Sequence, residues 1–593
     1  MKESKNYPLY EVTPVSSVRE LLDIAENEAS EKTAFRYRVS GDNIRDVSYG
    51  EFVRDVNALG AALCELGVIG DHIAQIGENS YRWVNVYLTA LAGNGVYVPI
   101  DKDLPEADKI NILHHSDASV LFYSETYDEF VRTNANTALA DIKYFIRISP
   151  KADTGEEVNP EYFTSGTRFL SYMELMKHGY ELLDTGYNEY LSRHSEPRDL
   201  KMIVYTSGTT GLAKGVMLCE QNLISIVYYG LQVSTVYETD LSVLPYHHTY
   251  EAVAGLLVSL HHHSTICINE NIKSVMKNLV TYKPDYIYLV PAFAEEFYRR
   301  IWATAKRSGK ENGLKALIKT SNNLRKIGID ARRKLFSTIH ENFGGNLKKI
   351  VCGGAPIRPE IGDFFDSIGI NLINGYGITE CSPLVSANRD RFNDPATVGS
   401  VLPCVEIKFE DVTPEGIGEI CVKGPTVMLG YYKQPEATAA VLSADGWFRT
   451  GDYGMMNDKE QLMITGRKKN IIVLSNGKNV YPEEIENYIQ NIPYVREVVV
   501  YGLKNEYGEE YKLCAEVFLN AEKVEEMGIT DPATSLKTDI SKVCAPLPVY
   551  KNIGKIVIRT KEFDKNSSNK IKRQNIGQDD EASRAADSAE KSE

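Results

Sequence analysis

Short apolar runs alternate with amphipathic stretches along the first 460 residues of the chain. Ser48 and Glu51 form a capping-box pattern, and apolar residues then recur at helical spacing until Gly67 ends the predicted helix. Other runs are short, apolar and typical of strands that are buried on both faces; they are residues 73–76, 120–123, 202–205 and 350–352. Buried strands that alternate with helices predict an α/β fold in which parallel-rich sheets are flanked by helices.

The pattern changes after Gly466. A basic junction precedes a short strand and a turn, and a helix is expected to begin at Pro482. Two further strands are predicted near residues 498–501 and 513–518. We expect three segments: a large N-terminal domain over residues 1–468, a small α+β C-terminal domain over 469–573, and a disordered acidic tail over 574–593.

Composition and charge limit the class of protein. The chain has 593 residues, of which 43% are hydrophobic and 25% charged, which is typical of a soluble protein with two or more domains. A net charge of −15 argues against a nucleic-acid partner, because phosphate backbones require a basic surface. The nine cysteines are scattered without C-x-x-C spacing, which indicates reduced thiols in the cytoplasm. No leader and no membrane-spanning run is expected.

A loop rich in glycine and hydroxyl groups follows one of the predicted strands. The sequence IVYTSGTTGLAKGVML spans residues 203–218, and its turn exposes backbone N–H groups and the charge of Lys214, which suit a polyphosphate. The hydroxyl donors come from Thr206, Ser207, Thr209 and Thr210. A Walker loop is disfavoured, because Ala213 replaces its second glycine and Gly215 replaces its metal-binding hydroxyl.

Four later stretches have individually ordinary interpretations. The first two are typical of tight turns and the last two of solvated charge runs. They are GYGITE at 375–380, RTGDYG around Asp452, GRKKN at 466–470 and NSSNKIKR at 566–573. The chance that all four occur together, in this order after the first loop, is small.

The loop from Tyr205 to Gly215 resembles the signature loop of the adenylate-forming superfamily, and it departs from the pattern only at Ala213, where proline is usual. The resemblance covers approximately residues 7 to 573, and further matching pieces are 92–101, 244–251, 353–356 and 475–486. Residues 285–301 and 334–357 resemble the long-chain fatty acyl-CoA synthetase branch of that superfamily. This resemblance implies a large α/β domain and a small domain on a hinge.

The resemblance also implies a role for each matched residue toward ATP. The phosphate-binding set is Thr206, Ser207, Gly208, Thr209, Thr210, Gly211 and Lys214. Tyr376 would stack on adenine, beside the nucleotide-binding positions Gly353, Gly354, Ala355, Gly377 and Thr379. Asp452 would accept the ribose hydroxyls and Arg467 would bind ribose or phosphate. Mg²⁺ would be held by Glu380 and Thr206, since it prefers oxygen ligands.

Chemistry and motion are implied by four further positions. Lys570 corresponds to the adenylation lysine, although Asn569 replaces the usual preceding glycine, and with Glu380, His248 and Thr206 it completes the predicted catalytic set. His248 matches a histidine near the substrate carboxylate, and His247 is a weaker candidate. Lys469 matches the hinge, and Gly477 lies where the turn would admit the pantetheine of CoA.

The sequence therefore predicts a cytoplasmic, ATP- and Mg²⁺-dependent ligase that joins a fatty acid to CoA and releases AMP and pyrophosphate. One alternative acceptor is the pantetheine of a carrier protein. Another alternative is a catalytically weakened paralogue that only binds acyl chains or nucleotide, which Ala213 and Asn569 suggest. The sequence does not determine the acyl chain length, because single methylenes contribute only about 1–3 kcal/mol to discrimination.

Two clusters lie outside these motifs. Residues 261–263 are three consecutive histidines, which cannot easily converge on one metal ion, so a polar helix end is favoured. The span from Arg299 to Lys334 has 12 Lys or Arg against 2 Asp or Glu. A solvated pair of helices is its first interpretation. The alternatives are a surface for CoA phosphates or for anionic lipid, which would place the protein peripherally at the inner membrane surface.

Overall fold

The computed structural model describes residues 8–93, 95–149, 168–206, 213–475, 478–505, 508–565, 571–573 and 576. The chain divides into two compact units. The larger unit comprises residues 1–408, 421–449 and 456–463, and the smaller unit comprises 409–420, 450–455 and 464–593. Within the described ranges, no helix is both long enough and apolar enough to cross a membrane.

The strands are numbered in chain order. The first thirteen are β1 Thr33–Ser40, β2 Asn43–Ser48, β3 His72–Ile76, β4 Val96–Pro99, β5 Val120–Ser124, β6 Tyr144–Ile148, β7 Phe169–Ser171, β8 Leu200–Thr206, β9 Lys214–Cys219, β10 Thr239–Ser242, β11 Thr265–Ile268, β12 Tyr286–Leu289 and β13 Lys349–Cys352. The others are β14 Asn371–Gly377, β15 Leu384–Ala387, β16 Ser400–Val401, β17 Glu406–Glu410, β18 Gly418–Lys423, β19 Gly430–Tyr431, β20 Phe448–Met456, β21 Leu462–Arg467, β22 Ile472–Val473, β23 Asn479–Val480, β24 Val495–Lys504, β25 Glu510–Leu519 and β26 Ile553–Arg559.

The α-helices begin with α1 Val18–Ala29, α2 Tyr49–Glu65, α3 Tyr81–Ala92, α4 Glu106–His115, α5 Asp128–Asn134, α6 Tyr172–Asp184, α7 Glu220–Val233, α8 Val258–His261 and α9 Val275–Tyr282. They continue with α10 Pro291–Arg307, α11 Glu311–Lys326, α12 Arg332–Leu335, α13 Ser337–Asn342, α14 Pro359–Ile368, α15 Pro435–Ala439, α16 Pro482–Ile489, α17 Ala521–Glu526 and α18 Pro532–Val543. A π-helical segment, Tyr250–Leu257, precedes α8.

Two large sheets form the larger unit. Among the described residues, one sheet has nine strands in the order β16-β15-β14-β13-β12-β10-β11-β1-β2, and the other has eight in the order β19-β9-β8-β4-β3-β5-β6-β7. The inner pairs of both sheets are parallel, whereas the pairs β1–β2, β14–β15, β15–β16, β8–β9 and β9–β19 are antiparallel. The predicted α/β class with parallel-rich sheets is therefore confirmed.

Helices cover the sheets with apolar side chains. On the nine-stranded sheet, Phe297 of α10 and Phe365 of α14 pack in one core with Leu289 of β12 and Ile350 of β13. These side chains are nearly or fully buried. This packing explains why the sequence shows continuous apolar runs at the inner strands, since helices and neighbouring strands leave those strands no solvent-facing side.

Other predicted elements are present at the expected places. Ser48 caps α2 by accepting a hydrogen bond from the Glu51 amide, and Gly67 follows the helix with a φ of 70°. The Glu51 carboxylate pairs with Arg45 at 2.7 Å. The prediction of a helix start at Pro482 is confirmed by α16, and those of strands near 498–501 and 513–518 are confirmed by β24 and β25.

The smaller unit has its own core. Its sheet pairs β24 with β25 antiparallel and β25 with β26 parallel, and α16 and α18 pack on it through Ile485, Ile489 and Leu536. In the same unit, β22 pairs with β23. Apart from Ile576, the predicted acidic tail lies outside the described residues.

Candidate active site

Three of the predicted site segments follow parallel strands of the nine-stranded sheet. His247 and His248 come shortly after β10, Gly353 comes directly after β13, and Glu380 comes just after β14. Because β10, β12, β13 and β14 run parallel, their carboxyl ends lie at one edge of the sheet. Ligands of open α/β sheets bind in crevices at this edge. The topology thus brings together segments that are more than 100 residues apart in the chain.

Close backbone packing explains two glycines in these segments. A Cβ on Gly377 would lie 2.1 Å from the carbonyl oxygen of Pro383, so any larger residue would displace the chain before Glu380. A Cβ on Gly353 would lie 3.3 Å from the ring of Tyr250. The hydroxyl of Tyr250 donates to the Val351 carbonyl at 3.0 Å and joins the π-helical segment to β13. Both glycines therefore allow neighbouring segments to approach closely at this edge of the sheet.

The other predicted nucleotide positions lie beside them. Tyr376 is nearly buried in β14, where it lies opposite Ser386 of β15. Thr379 begins the short 3₁₀ turn that carries Glu380. Gly354 has a φ of 85°, and its neighbour Ala355 is exposed to solvent. The structure thus places all the predicted positions from 353 to 380 on two neighbouring strand ends.

The phosphate loop begins and ends on paired strands. Thr206 is the last residue of β8 and Lys214 the first of β9, and the two lie opposite each other in the antiparallel ladder. The predicted phosphate ligands between them, Ser207, Gly208, Thr209, Thr210 and Gly211, lie outside the described residues. Their roles stay predictions.

Lys214 and Glu380 both contact Tyr431, a residue that the sequence did not single out. The Lys214 ammonium lies over the Tyr431 ring, 4.7 Å from its centroid. The Tyr431 hydroxyl donates to Oε1 of Glu380 at 3.0 Å. Burial, and then the nearby Glu380 carboxylate, raise the pKa of Tyr431, so its hydroxyl keeps the proton that it donates. Nothing in the sequence distinguishes Tyr431 from Tyr432, since both follow Gly430.

The oxygen donors at Glu380 fit a magnesium ion. In the described part of the chain, no cluster of three or more His, Cys, Asp or Glu residues forms a metal cage. Mg²⁺ commonly keeps waters and binds through one or two carboxylates and substrate phosphates. Glu380 and Thr206 carry oxygen donors of the kind that Mg²⁺ prefers, and their role as metal ligands stays a prediction.

The two histidines after β10 pack against each other, and His247 is neutral at pH 7. Burial, and then the neighbouring His248, lower the pKa of His247 to about 3, so His247 is neutral at pH 7. Its Nε2 lies 3.6 Å from Oδ1 of Asp101, and the two imidazole centroids are 4.2 Å apart. A neutral His247 therefore packs against His248, the more strongly predicted residue.

The ribose candidates lie in the smaller unit and contact each other. Arg467 Nε lies 2.9 Å from Oδ1 of Asp452, and the Asp452 side chain is 2% exposed. The Asp452 amide donates to Thr450 Oγ1 at 3.0 Å, which fixes the backbone. The next residue, Lys468, pairs with Glu419 at 2.5 Å, whereas the predicted hinge residue Lys469 is exposed in the 3₁₀ turn after β21.

Lys570 and Gly477 lie outside the described residues. The residues that flank Lys570 are held firmly: Lys565 and Ile571 form a β-bridge, and the Lys572 amide donates to the Asp564 carbonyl at 2.8 Å. Arg573 pairs with Glu486 of α16. Burial raises the pKa of Glu486 to about 7 in spite of the opposing effect of Arg573.

The two clusters outside the motifs have definite places in the fold. His261 ends α8 and its Nε2 contacts the Thr13 carbonyl at 2.9 Å, as expected of a polar helix end. The basic span forms α10, α11 and α12, and several of its arginines are engaged within the fold. Arg325 and Arg332 both pair with Asp366 of α14, so they are not simply solvated.

Comparisons with known proteins agree with this geometry. Residues 22–432 match the family model described as AMP-binding enzyme, and residues 469–580 match the AMP-binding enzyme C-terminal domain. Long chain acyl-CoA synthetase 7, peroxisomal, of Arabidopsis thaliana is 30% identical over 77% of this chain and 66% of its own length. The chain thus spans about two thirds of that relative.

A bacterial relative and a solved structure extend the comparison. The long-chain-fatty-acid–CoA ligase FadD15 of Mycobacterium bovis is 28% identical over 77% of this chain and 75% of its own length. The crystal structure of the adenylation domain of the carboxylate reductase from Mycobacterium chelonae superposes with a TM-score of 0.77 at 22% identity, over 97% of this chain and 92% of that domain. The adenylate-forming fold is therefore shared.

Proposed function

This chain belongs to the AMP-binding enzyme family, and from that membership we propose that it is an acid–thiol ligase that activates a fatty, long-chain carboxylic acid with ATP and transfers the acyl group to CoA. The products of the full reaction are acyl-CoA, AMP and pyrophosphate. One observation carries the proposal: Lys214, proposed to bind phosphate, and Glu380, proposed to bind the metal, both contact Tyr431.

The first half-reaction has a clear electrostatic requirement. A carboxylate is a poor acylating agent because oxide is a poor leaving group, so the acid is first joined to AMP while pyrophosphate departs. Charge then develops on the phosphates, and catalysis consists mostly of placing charges around them. Lys214 would stabilise the departing pyrophosphate, and Lys570 would donate to the carboxylate and the α-phosphate as they approach. Bound Mg²⁺ would supply additional positive charge at the phosphate oxygens beside Glu380 and Thr206.

The acid is proposed to bind near the histidines after β10. His247 is neutral at pH 7, so it does not form an ion pair with an incoming carboxylate or with Asp101. Its ring packs against that of His248, with the centroids 4.2 Å apart. We assign to His248 the role of orienting the substrate carboxylate, and to the nearly buried Tyr376 the role of stacking on adenine.

The smaller unit supplies the remaining proposed roles. Asp452 and Arg467 would bind ribose, with Arg467 also near phosphate. Lys469 would be the hinge that changes the enzyme from adenylation to thioester formation, and Gly477 would give the pantetheine of CoA room to pass. With these roles we propose a large domain over residues 1–468 and a small domain over residues 469–573. The nine free cysteines are consistent with a reducing cytoplasm.

Release of AMP tests the proposal. The full-length protein is incubated with ATP, Mg²⁺, CoA and a panel of short-chain, long-chain and aromatic acids, and AMP and acyl-CoA are measured. We expect both products to be greatest with a long-chain acid. Competition between CoA and a pantetheine-bearing carrier protein distinguishes the carrier alternative. Absence of acid-dependent pyrophosphate exchange with every acid would instead support a weakened binding paralogue.

We further propose that the basic span from Arg299 to Lys334 contacts anionic lipid. The loop between α11 and α12 exposes Ile327 by 72% and Ile329 by 50%, beside the exposed Lys326. Apolar side chains that project from a basic surface fit a lipid bilayer, because lysines are attracted to anionic headgroups while the apolar tips enter the interface. Fatty acids partition into membranes, so such contact would bring the enzyme to its substrate.

A further inference from the structure

The backbone around Tyr431 is hydrogen-bonded to β9, which carries Lys214, and to the turn that carries Glu380. In the β9–β19 ladder it lies opposite Val216, and the Tyr432 amide donates to the Gly215 carbonyl at 2.8 Å. The Met428 amide donates to the Glu380 carbonyl at 2.9 Å, which ties the approach to β19 to the turn that carries Glu380. The backbone around Tyr431 is thus joined to both β9 and the turn that carries Glu380.

The strand register explains why the ring reaches Lys214. Lys214 is two residues before Val216, so both side chains point to the same face of β9. Tyr431 lies opposite Val216, and a long side chain on a paired strand reaches the diagonal neighbour on the same face. The ammonium accordingly lies 4.7 Å from the ring centroid. At the far end of the side chain, the hydroxyl contacts Glu380 at 3.0 Å.

An ammonium and a carboxylate beside the same side chain attract each other. Tyr431 is only 5% exposed, and Lys214 and Glu380 are each partly exposed. A direct ion pair would occupy both groups. The tyrosine offers each an alternative partner, because its ring face attracts the cation and its hydroxyl donates to the anion. The contacts are weaker than ionic bonds to phosphate or metal, so both groups can exchange them when nucleotide binds.

We propose that Tyr431 is a positioning residue that presets Lys214 for phosphate and Glu380 for Mg²⁺ and prevents the two from pairing with each other. This inference rests on the proposed function, since it assumes that a magnesium nucleotide is the ligand. The residue acts through its neighbours, and its hydroxyl and its ring have separable tasks. The hydroxyl orients the metal ligand, while the ring keeps the lysine away from it.

Equilibrium binding of ATP separates the two tasks. The full-length protein is titrated with ATP in a calorimeter, once with a chelator and once with increasing Mg²⁺. Tyr431→Phe retains the ring, so its affinity for metal-free ATP should stay within about twofold of wild type. Mg²⁺ should increase the affinity for ATP. In this variant, the Mg²⁺ concentration that gives half of that increase should be about tenfold higher than in wild type, as for loss of one hydrogen bond to a charged group. Tyr431→Leu should lose affinity for metal-free ATP as well, because Lys214 can then pair with Glu380.

The matched control is Tyr432→Phe, which removes the adjacent hydroxyl that donates to Asp117 at 2.7 Å. This control should bind ATP like wild type in both titrations. A second measurement repeats Tyr431→Phe in a Glu380→Gln background, where the added effect on ATP binding should vanish if the hydroxyl acts through Glu380. That cycle decides the role of the hydroxyl even where Tyr431→Leu fails to fold.

Two outcomes would overturn the inference: an unchanged Mg²⁺ dependence in Tyr431→Phe, or an equal loss from Tyr431→Phe in the wild-type and Glu380→Gln backgrounds. Equal behaviour of folded Tyr431→Leu and Tyr431→Phe would overturn the role of the ring. Failure of the proposed function has a different appearance, since the wild-type protein itself would then bind no ATP. If the wild-type protein binds ATP and substitution of Tyr431 has no effect, this inference is contradicted and the proposed function is not.

Discussion

Arg467 Nε lies 2.9 Å from Oδ1 of Asp452, so the residue predicted to bind the ribose hydroxyls is paired with the residue predicted to bind ribose or phosphate. The Asp452 side chain is buried, with 2% of its surface exposed, and this contact helps to fix its carboxylate. A nucleotide would therefore meet an acceptor whose orientation is already set.

Asp452→Asn should reduce the discrimination between ATP and 3′-deoxy-ATP by about tenfold, because the variant retains the shape and loses the charged acceptor. Adenylation rates with the two nucleotides provide the measurement. Asp458→Asn, on an exposed loop, is the control and should leave the ratio unchanged. An equal fall in both adenylation rates, which preserves their ratio, would contradict the assignment of Asp452 to the ribose.

Lys570→Ala should slow the formation of acyl-AMP by roughly 10²–10³-fold, the effect of losing one preorganised charge donor. Capture of presynthesised acyl-AMP by CoA should be nearly unchanged, because the lysine is assigned only to the first transition state. Single-turnover assays of each half-reaction measure the two effects. Lys572→Ala removes a neighbouring exposed lysine and should affect neither step. Equal loss in both half-reactions would contradict the assignment.

Lys469→Pro should stop thioester formation while adenylation continues, because proline fixes φ and removes an amide N–H at the proposed hinge. Accumulation of acyl-AMP after CoA is added measures this block. Lys469→Ala removes the charge and retains the backbone freedom, so it should still produce acyl-CoA. Normal acyl-CoA production by the proline variant would show that the hinge lies elsewhere.

The stability of the protein should depend on Glu486 below neutral pH. Burial raises the pKa of Glu486 from 4.5 to about 7, so between these values the folded protein binds a proton that the unfolded chain has lost. Stability from this group is therefore present at low pH and decreases as pH rises toward 7, by at most about 3 kcal/mol.

Glu486→Gln cannot titrate, so its melting temperature should fall less than that of wild type between pH 5 and pH 7.5. Differential scanning calorimetry at matched ionic strength gives the comparison. The exposed Glu525→Gln serves as the control and should follow the wild-type profile. Parallel curves for wild type and Glu486→Gln would show that Glu486 titrates in its ordinary range.

Anionic vesicles should bind the protein at low ionic strength and release it as salt rises, because the Debye length falls from about 30 Å at 0.01 M to about 8 Å at 0.15 M. Vesicle cosedimentation measures the bound fraction. The double variant Ile327→Asn, Ile329→Asn and the double variant Lys319→Glu, Lys326→Glu should each weaken binding, while activity on a short soluble acid stays unchanged.

Ile272→Asn is the control for this experiment, since Ile272 is 71% exposed outside the basic span. Arg325 and Arg332 are left intact, because reversing them would break ion pairs to Asp366 and disturb the fold. A higher KM for CoA in the lysine variant, without loss of vesicle binding, would assign the surface to CoA phosphates. If neither vesicle binding nor the KM for CoA changes, the basic span is a solvated pair of helices.

The fold class was predictable from local patterns because burial on both faces forces apolar runs on the inner strands. The runs at 73–76, 120–123, 202–205 and 350–352 all became strands of parallel ladders. The helix starts at Ser48 and Pro482 were also predictable, since caps and proline act within one turn. The sequence could equally locate the loop before Lys214, whose glycines and hydroxyls are adjacent in the chain.

By itself, the sequence determined which residue types are available and in what order, together with the local elements that carry them. Only the tertiary structure decided their partners. Tyr431 contacts Glu380 across 51 positions, and Arg325 pairs with Asp366 across 41. No local spacing encodes such contacts, because they depend on strand register and helix packing. The neutral state of His247 has the same origin, since its lowered pKa follows from burial among residues brought together by folding.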